Sequence, residues 1–428
     1  MKREEGKPVK LGLIGEKLPH SYSKEIFENI LGYPVYDLIE LRPDEVGNFI
    51  TCLDRDGVNV TVPYKQAVIP YLDEVSELAR RIGAVNTVWR KDGRLCGTNT
   101  DYYGLSALLR RAGFDLAGKT VLILGTGGTS RTAAIVCEDL GAARVVKVSR
   151  TARDGAISYE EATEVRAHYI INTTPCGMFP HTNETPVDLR PFAQRGTLLG
   201  VADVIYNPLQ TALIRQAKEL GIPAVSGLYM LAAQAVAAER FFTGNNAEDA
   251  AMKDRSENVY RALRAKRENL VLIGMPTSGK STVGAALAER TGRPFYDTDT
   301  ELEKNIGSIP DYIRANGEAA FRDAETDVIR LLTARVHGAV IATGGGAILR
   351  EENRRLLAEN GCLIWIDRGA DEILFDPSRP LSDTREKWEA LWREREPIYR
   401  AAANLTVRGF RTPETATARI LEEYHEIC

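Results

Sequence analysis

Residues 121–133 read VLILGTGGTSRTA, and this stretch decides the first fold in the chain. Four apolar residues suited to a buried strand run into Gly125, Gly127 and Gly128, and a helix-like pattern follows. Glycine there permits a tight turn and close approach of a pyrophosphate to a helix N-terminus, where unsatisfied N–H groups favour an anion. The sixth place of the GxGxxG fingerprint holds Ser130, so the strand–turn–helix context carries the reading more than the glycines do. The next strand ends in VVKVSRTAR. An NAD site places a carboxylate at that end, about 20 residues on, to hold the ribose. Ser149, Arg150 and Thr151 stand there instead, offering donors and positive charge to a 2'-phosphate, so NADP is favoured over NAD.

Outward from this stretch, YYGLSALLRRAG, SRTAAIVCEDLG and TALIRQAKELG read as helices, and RVVKVSR, HYIINTTP and VADVIY as strands. That is the rhythm of a doubly wound parallel sheet. Upstream, KLGLIG and GVNVTVPY read as strands, and SKEIFENIL and EVSELARRIG as helices, of a smaller α/β unit. The apolar-rich GLYMLAAQAVAAERFFTG reads as a long helix returning to pack on that first unit. Residues 247–268 are mostly polar and read as a linker with helical tendency.

A second nucleotide signature lies far from the first. GMPTSGKST, Gly274 to Thr282, follows the strand LVLIG and fits GxxxxGK[ST]. Loop N–H groups including those of Gly274, Ser278, Gly279 and Thr282 can cradle phosphates, Lys280 neutralises them, and Ser281 can help hold magnesium. Asp297 and Asp299, two apart in FYDTDTELE, present carboxylates on one side of an extended chain. Arg322, the glycines Gly344, Gly345 and Gly346 of IATGGGAI, Arg379 of SRPL and Arg395 of REREPIY complete a polar set.

The 428 residues suffice for two or three domains. Hydrophobic residues make up 44% and charged residues 27%, with a formal net charge of -4, and no basic tract suggests a nucleic-acid partner. Six dispersed cysteines lack metal-ligand spacing and read as reduced thiols. No segment approaches the length of a membrane span, and LGLIG is too short for a signal peptide, so a cytoplasmic location is expected.

Polar residues cluster where the apolar runs of the first unit stop: Ser21 and Ser23 in HSYS, Asn59, Thr61 and Lys65 in NVTVPYK, Asn86 in GAVNT, and Asn99 and Asp101 in GTNTDYYG. Hydroxyls, amides, one lysine and one aspartate suit a small polyhydroxylated, anionic molecule. These motifs, with GTGG, SRT, DVIYNPLQTALIRQAKELG and GLYMLAAQ, resemble shikimate dehydrogenase in that family's order over residues 11 to 244. The resemblance implies Lys65 and Asp101 as the catalytic pair. It implies Ser21, Ser23, Thr61, Asn86 and Gln234 on the substrate, with Asn59 grouped among them, and Tyr206 and Gly227 beside the nicotinamide. Where the family usually has proline after the second serine, Lys24 stands, a charge expected near the substrate mouth.

Residues 270–428 resemble shikimate kinase. The resemblance implies Asp299 on the acceptor hydroxyls and its proton, and Asp297 with Ser281 at magnesium. It places Arg322 and Arg395 on the substrate carboxylate, Gly345 beside the ring, and Arg379 on the transferring phosphate. Thr277 stands where the family often has glycine or alanine, and no basic residue lies between Ala370 and Ser378, so a short, acidic lid is expected. The expected organisation is a substrate-binding and catalytic domain over 1–101 completed by 227–246, a Rossmann-like NADP domain over 102–226, a linker over 247–268, and a P-loop kinase domain over 269–428. The implied reactions are NADPH-dependent reduction of 3-dehydroshikimate to shikimate, then phosphorylation of shikimate by ATP with Mg2+. Rival readings are a quinate/shikimate dehydrogenase with a weak kinase, and a nucleotide-binding sensor or scaffold built from inactive domains. Monomer and homodimer are both left open.

Overall fold

Three sheets organise the computed structural model, which describes residues 9–18, 21–151, 155–245, 249–373 and 384–426. The first comprises β1 (Lys10–Gly15), β2 (Val35–Glu40), β3 (Gly57–Val60), β4 (Glu74–Val75), β5 (Thr87–Lys91) and β6 (Arg94–Thr98), ordered β2-β1-β3-β5-β6-β4. It is mixed: β1 pairs in parallel with β2 and β3, while β5 runs antiparallel to β3 and β6. The second holds β7 (Thr120–Leu124), β8 (Arg144–Val148), β9 (Tyr169–Asn172), β10 (Gly200–Asp203) and β11 (Ala224–Val225), in the order β11-β10-β9-β7-β8. All its pairings are parallel, so both faces are covered and the strands are near-continuous apolar runs. The third holds β12 (Asn269–Ile273), β13 (Phe295–Asp297), β14 (Val340–Ala342), β15 (Gly361–Ile366) and β16 (Leu405–Val407), ordered β13-β14-β12-β15-β16 and again parallel.

The chain divides into two compact units, Met1–Leu263 and Arg264–Cys428. In the first, the long helix Leu228–Thr243 buries Leu228, Ala232, Ala235 and Val236 with Leu11, Ile26 and Phe27 of the opening segment. Its Tyr229, Met230 and Ala233 join the core of the second sheet with Leu105, Leu108 and Leu109. One helix thus closes the small unit and fastens it to the nucleotide-binding unit. The stretch read as a linker lies largely in helix Asp249–Arg267. Its Val259 and Leu263 are buried in the first unit's core, Tyr260 packs edge-on against Tyr229, and Arg111 pairs with Glu257 at 2.9 Å. The apolar residues are too sparse among charges to announce that burial in the sequence.

The segment read as helix SKEIFENIL forms a π-helical turn, Glu25–Ile30. Lys24 precedes it, and its ammonium reaches Glu28 at 3.0 Å and the Tyr36 carbonyl at 3.2 Å. The charge expected at a substrate mouth is therefore engaged in holding this turn against β2. Among the described residues no helix is long and apolar enough to cross a membrane, and no group of three or more His, Cys, Asp or Glu could hold a metal.

Candidate functional sites

In the first unit the chemistry gathers where β3 and β6 end and β5 begins. Helix Asp101–Arg111 starts there, so the Asp101 carboxylate sits at a helix N-terminus, where the dipole favours negative charge. Lys65 arrives from the turn after β3, its backbone carbonyl accepting from the Val85 N–H at 2.7 Å. The Lys65 Nζ and Asp101 Oδ2 stand 2.6 Å apart, with side chains only 15% and 11% exposed. The other Asp101 oxygen accepts from Asn86 Nδ2 at 2.9 Å. Asn86 is itself fixed, because its Oδ1 accepts from the Thr100 N–H at 2.6 Å and from the Thr87 and Thr100 hydroxyls at 3.1 Å each. Thr100 also reaches Gln234 Oε1 at 3.4 Å, tying the returning helix to this network. A half-buried ammonium is thus held against a carboxylate whose second oxygen is already oriented.

Asn59 lies beneath this group. Its Oδ1 accepts from Tyr36 Oη at 2.9 Å, and its Nδ2 faces the Asn86 carbonyl and Thr87 Oγ1 at 3.4 and 3.3 Å. Ser21 and Ser23 are linked by a Ser23 N–H to Ser21 Oγ bond of 3.2 Å, and Ser23 is buried. Thr61 follows β3, its N–H bound to the Ile14 carbonyl at 2.9 Å.

The dinucleotide turn forms as read. Gly125 has φ of 108°, a left-handed conformation that glycine alone accepts readily, and its N–H bonds the Val148 carbonyl at 2.8 Å. Ser130, at the sixth place, donates to the Gly125 carbonyl at 2.7 Å and so closes the turn with a side chain. Gly127 caps and Gly128 begins helix Gly128–Asp139, and a Cβ on either would meet nothing within 4 Å, which leaves the helix N-terminus open to a ligand. Ser149, Arg150 and Thr151 follow β8 directly, with Arg150 exposed. Across the sheet, Asp203 is buried at the end of β10 and accepts from Asn172 Nδ2, the Ile205 N–H and Thr211 Oγ1 at 3.0, 3.0 and 2.7 Å. These bonds shape the loop that carries Tyr206, whose ring lies 5.2 Å from that of Tyr22. Gly227 then packs against the Val204 carbonyl without room for a side chain. Asn172, Asp203 and Thr211 are absent from the residues picked by sequence, and the fold alone brings them together.

In the second unit, β12 runs into the phosphate loop and helix Lys280–Thr291 begins directly after Gly279, whose φ is 90°. Gly274 packs on the Ile366 carbonyl, with no space for a Cβ. Lys280 is buried and donates to the carbonyls of Gly274 and Met275 at 3.0 and 2.8 Å, which centres its charge in the loop. Ser281 Oγ donates to Asp297 Oδ2 at 2.5 Å. The other Asp297 oxygen accepts from the Asp299 and Thr300 N–H groups, capping helix Thr298–Ile306. A serine hydroxyl beside one carboxylate at a phosphate loop is an oxygen donor pair suited to magnesium, which fills its remaining positions with phosphate and water. Thr277 carries a φ of 61°, an uncommon conformation for a β-branched residue, and its hydroxyl bonds the Pro276 carbonyl at 2.6 Å.

A second polar cluster is built around the three glycines Gly344, Gly345 and Gly346. A Cβ on Gly344 would stand 2.6 Å from Asp299 Oδ1, and one on Gly346 would stand 2.5 Å from both terminal nitrogens of Arg322. The Gly345 carbonyl accepts from Tyr399 Oη at 2.5 Å. Arg322 pairs with Glu325 at 3.0 Å, and Arg395 is buried with its Nε unpartnered. Burial pushes the Glu325 carboxyl up, against the pull of Arg322, and Asp299 adds to the rise. Glu325 and Tyr399 are site residues that the sequence reading did not name. Glu325 was within reach, because Arg322-x-x-Glu325 places the two on one face of a helix. Arg379 lies outside the described residues.

The family model for shikimate kinase matches residues 276–425, and that for the shikimate dehydrogenase substrate binding domain matches residues 13–88. A shikimate dehydrogenase (NADP(+)) from Clostridium perfringens is 39% identical over 275 residues, covering 60% of this chain and 98% of the relative. Among solved structures, a chorismate mutase/shikimate 5-dehydrogenase fusion protein from Clostridium acetobutylicum matches with a TM-score of 0.55 and 32% identity, over 60% of this chain and 97% of that one. A shikimate 5-dehydrogenase from Thermus thermophilus, in complex with NADP(H) and shikimate, matches with a TM-score of 0.50 and 30% identity, over 59% of this chain and 99% of that one.

Proposed function

The chain belongs to the shikimate dehydrogenase family through its first unit and carries a shikimate-kinase-like domain in its second, and on that premise we propose the reactions and the residues that perform them. The protein is a bifunctional enzyme. Its first unit reduces 3-dehydroshikimate to shikimate with NADPH, and its second transfers the γ-phosphoryl group of ATP to shikimate. The observation that carries the first assignment is the short Lys65–Asp101 pair locked by Asn86.

Bound NADPH supplies the hydride that enters the ketone carbon. Lys65 donates a proton to the oxygen on which negative charge develops, and its ammonium stabilises that charge beforehand. Asp101 orients the lysine and accepts from a substrate hydroxyl. Asn86, Thr61, Ser21, Ser23 and Gln234 bind the remaining hydroxyls and the carboxylate, with Asn59 bracing Asn86 and Thr87. The open N-terminus at Gly127 and Gly128 takes the pyrophosphate, and Ser149, Arg150 and Thr151 take the 2'-phosphate.

In the second unit Lys280 and the loop N–H groups hold the ATP phosphates, and Ser281 with Asp297 holds magnesium. Asp299 accepts the proton of the acceptor hydroxyl, while Arg322 and Arg395 fork onto the substrate carboxylate. Glu325 holds Arg322 in place from the buried side. The setting is cytoplasmic, and the partners are small molecules.

Initial rates test the pair of assignments. Shikimate with NADP+ should give NADPH, and shikimate with ATP and magnesium should release ADP. NADPH formation with no shikimate-dependent ADP release would remove the kinase assignment alone.

A further inference from the structure

We propose that Arg368 is a nucleotide-binding residue of the kinase site, donating to the ATP phosphates from the end of β15; this rests on the kinase reading above. Strand β15 ends at Ile366, beside β12 at the carboxyl edge of the parallel sheet, where such sheets bind their ligands. The Ile366 carbonyl touches Gly274, so the chain leaving β15 runs directly along the phosphate loop. Two residues on, Arg368 Nη1 lies 3.7 Å from where a Cβ on Gly279 would stand, at the start of the helix that receives the phosphates.

The setting of this guanidinium is unlike that of a surface arginine. It lies over the Phe410 ring, 5.4 Å from the centroid, which limits its freedom. Its Nε is buried with no hydrogen-bond partner, and among the described residues it forms no ion pair. The adjacent carboxylate, Asp367, is already engaged by Arg408 at 2.5 Å. A planar cation is thus held beside a phosphate loop and, among the described residues, no carboxylate pairs with it. An anion with several acceptor oxygens satisfies both its charge and its fork of donors. The segment between Ala370 and Ser378 carries no basic residue, and Arg368 supplies a positive charge just upstream of it.

The test is calorimetric titration of the full chain with ADP and magnesium, alongside ATP and shikimate saturation in the kinase assay. Arg368→Gln removes the charge while keeping most of the side chain. It should weaken ADP binding by about ten- to a hundredfold, the range of hydrogen bonds to charged groups, and raise the ATP KM in parallel. The shikimate KM of the kinase should stay unchanged, and Arg368→Lys should recover part of the loss. Unaltered ADP affinity in Arg368→Gln, with the parent chain binding ADP, would overturn the role of Arg368 and leave the kinase reading standing. Failure of the parent to bind ADP would overturn both. Should the shikimate KM also rise in Arg368→Gln, Arg368→Lys decides: restored ADP affinity supports the role, and none contradicts it.

Discussion

At the scale of residues, the first site depends on one ammonium and the groups that aim it. Lys65 meets Asp101 at 2.6 Å, and Asp101 is oriented by Asn86. Lys65→Ala should lower the turnover of ketone reduction by about 10²–10⁴-fold, the usual worth of a positioned acid, and leave shikimate phosphorylation unchanged. Stopped assays of both activities on one preparation check this, and an equal loss in both would contradict independent sites. Asp203 makes a different prediction. Burial pushes its carboxyl from the ordinary 3.8 up to about 7, although its three donors pull the other way. A value raised by folding means that the protonated form favours the folded state. Its contribution is complete below about pH 4 and is lost as pH rises through about 7. Asp203→Asn lacks this loss, so its thermal midpoint should gain on the parent's as pH rises through that window. A midpoint that instead falls behind would show that the three donors stabilise the charged carboxylate more than burial opposes it.

At the scale of elements, the legible parts were those with continuous apolar runs or a glycine demand. Strands β7 and β12 announced themselves because parallel strands covered on both faces must be apolar throughout. The phosphate loop and the GTGG turn were legible because their backbone requires glycine. The π-helical turn at Glu25–Ile30 was not, since its residues have ordinary helical propensity and only tertiary packing selects the wider winding. The partners of Lys24 were hidden for a related reason: Glu28 and the Tyr36 carbonyl meet it only once β2 is in place. Helix Asp249–Arg267 hid its core contacts among many charged residues. Gly227 tests how the helix Leu228–Thr243 is seated. A Cβ there would overlap the Val204 carbonyl, and backbone cannot turn aside as a flexible side chain can. Gly227→Ala should cost about 1–3 kcal/mol, as overpacking does, and should raise the NADP KM. Denaturant unfolding with kinetics in NADP checks both, and an unshifted midpoint would mean that the helix start yields.

At the scale of the molecule, the chain holds two compact units, the first with two sheets and the second with one, each with its own core and polar site. The motifs were legible at this scale because each site carries groups that folding alone does not require: a lysine with an aspartate, a phosphate loop with a paired serine and carboxylate. What remained hidden was the supporting shell, including Asp203, Glu325 and Tyr399, because each acts through neighbours brought together only by the fold. Two separate sites predict two separable activities, so Lys280→Ala should abolish phosphorylation and leave ketone reduction at the parent rate. Both claims meet in one measurement on the intact chain. It is supplied with 3-dehydroshikimate, NADPH, ATP and magnesium, and the products are resolved by mass. Shikimate 3-phosphate that forms only when both NADPH and ATP are present is the expected result, and accumulation of shikimate without its phosphate would contradict the bifunctional account.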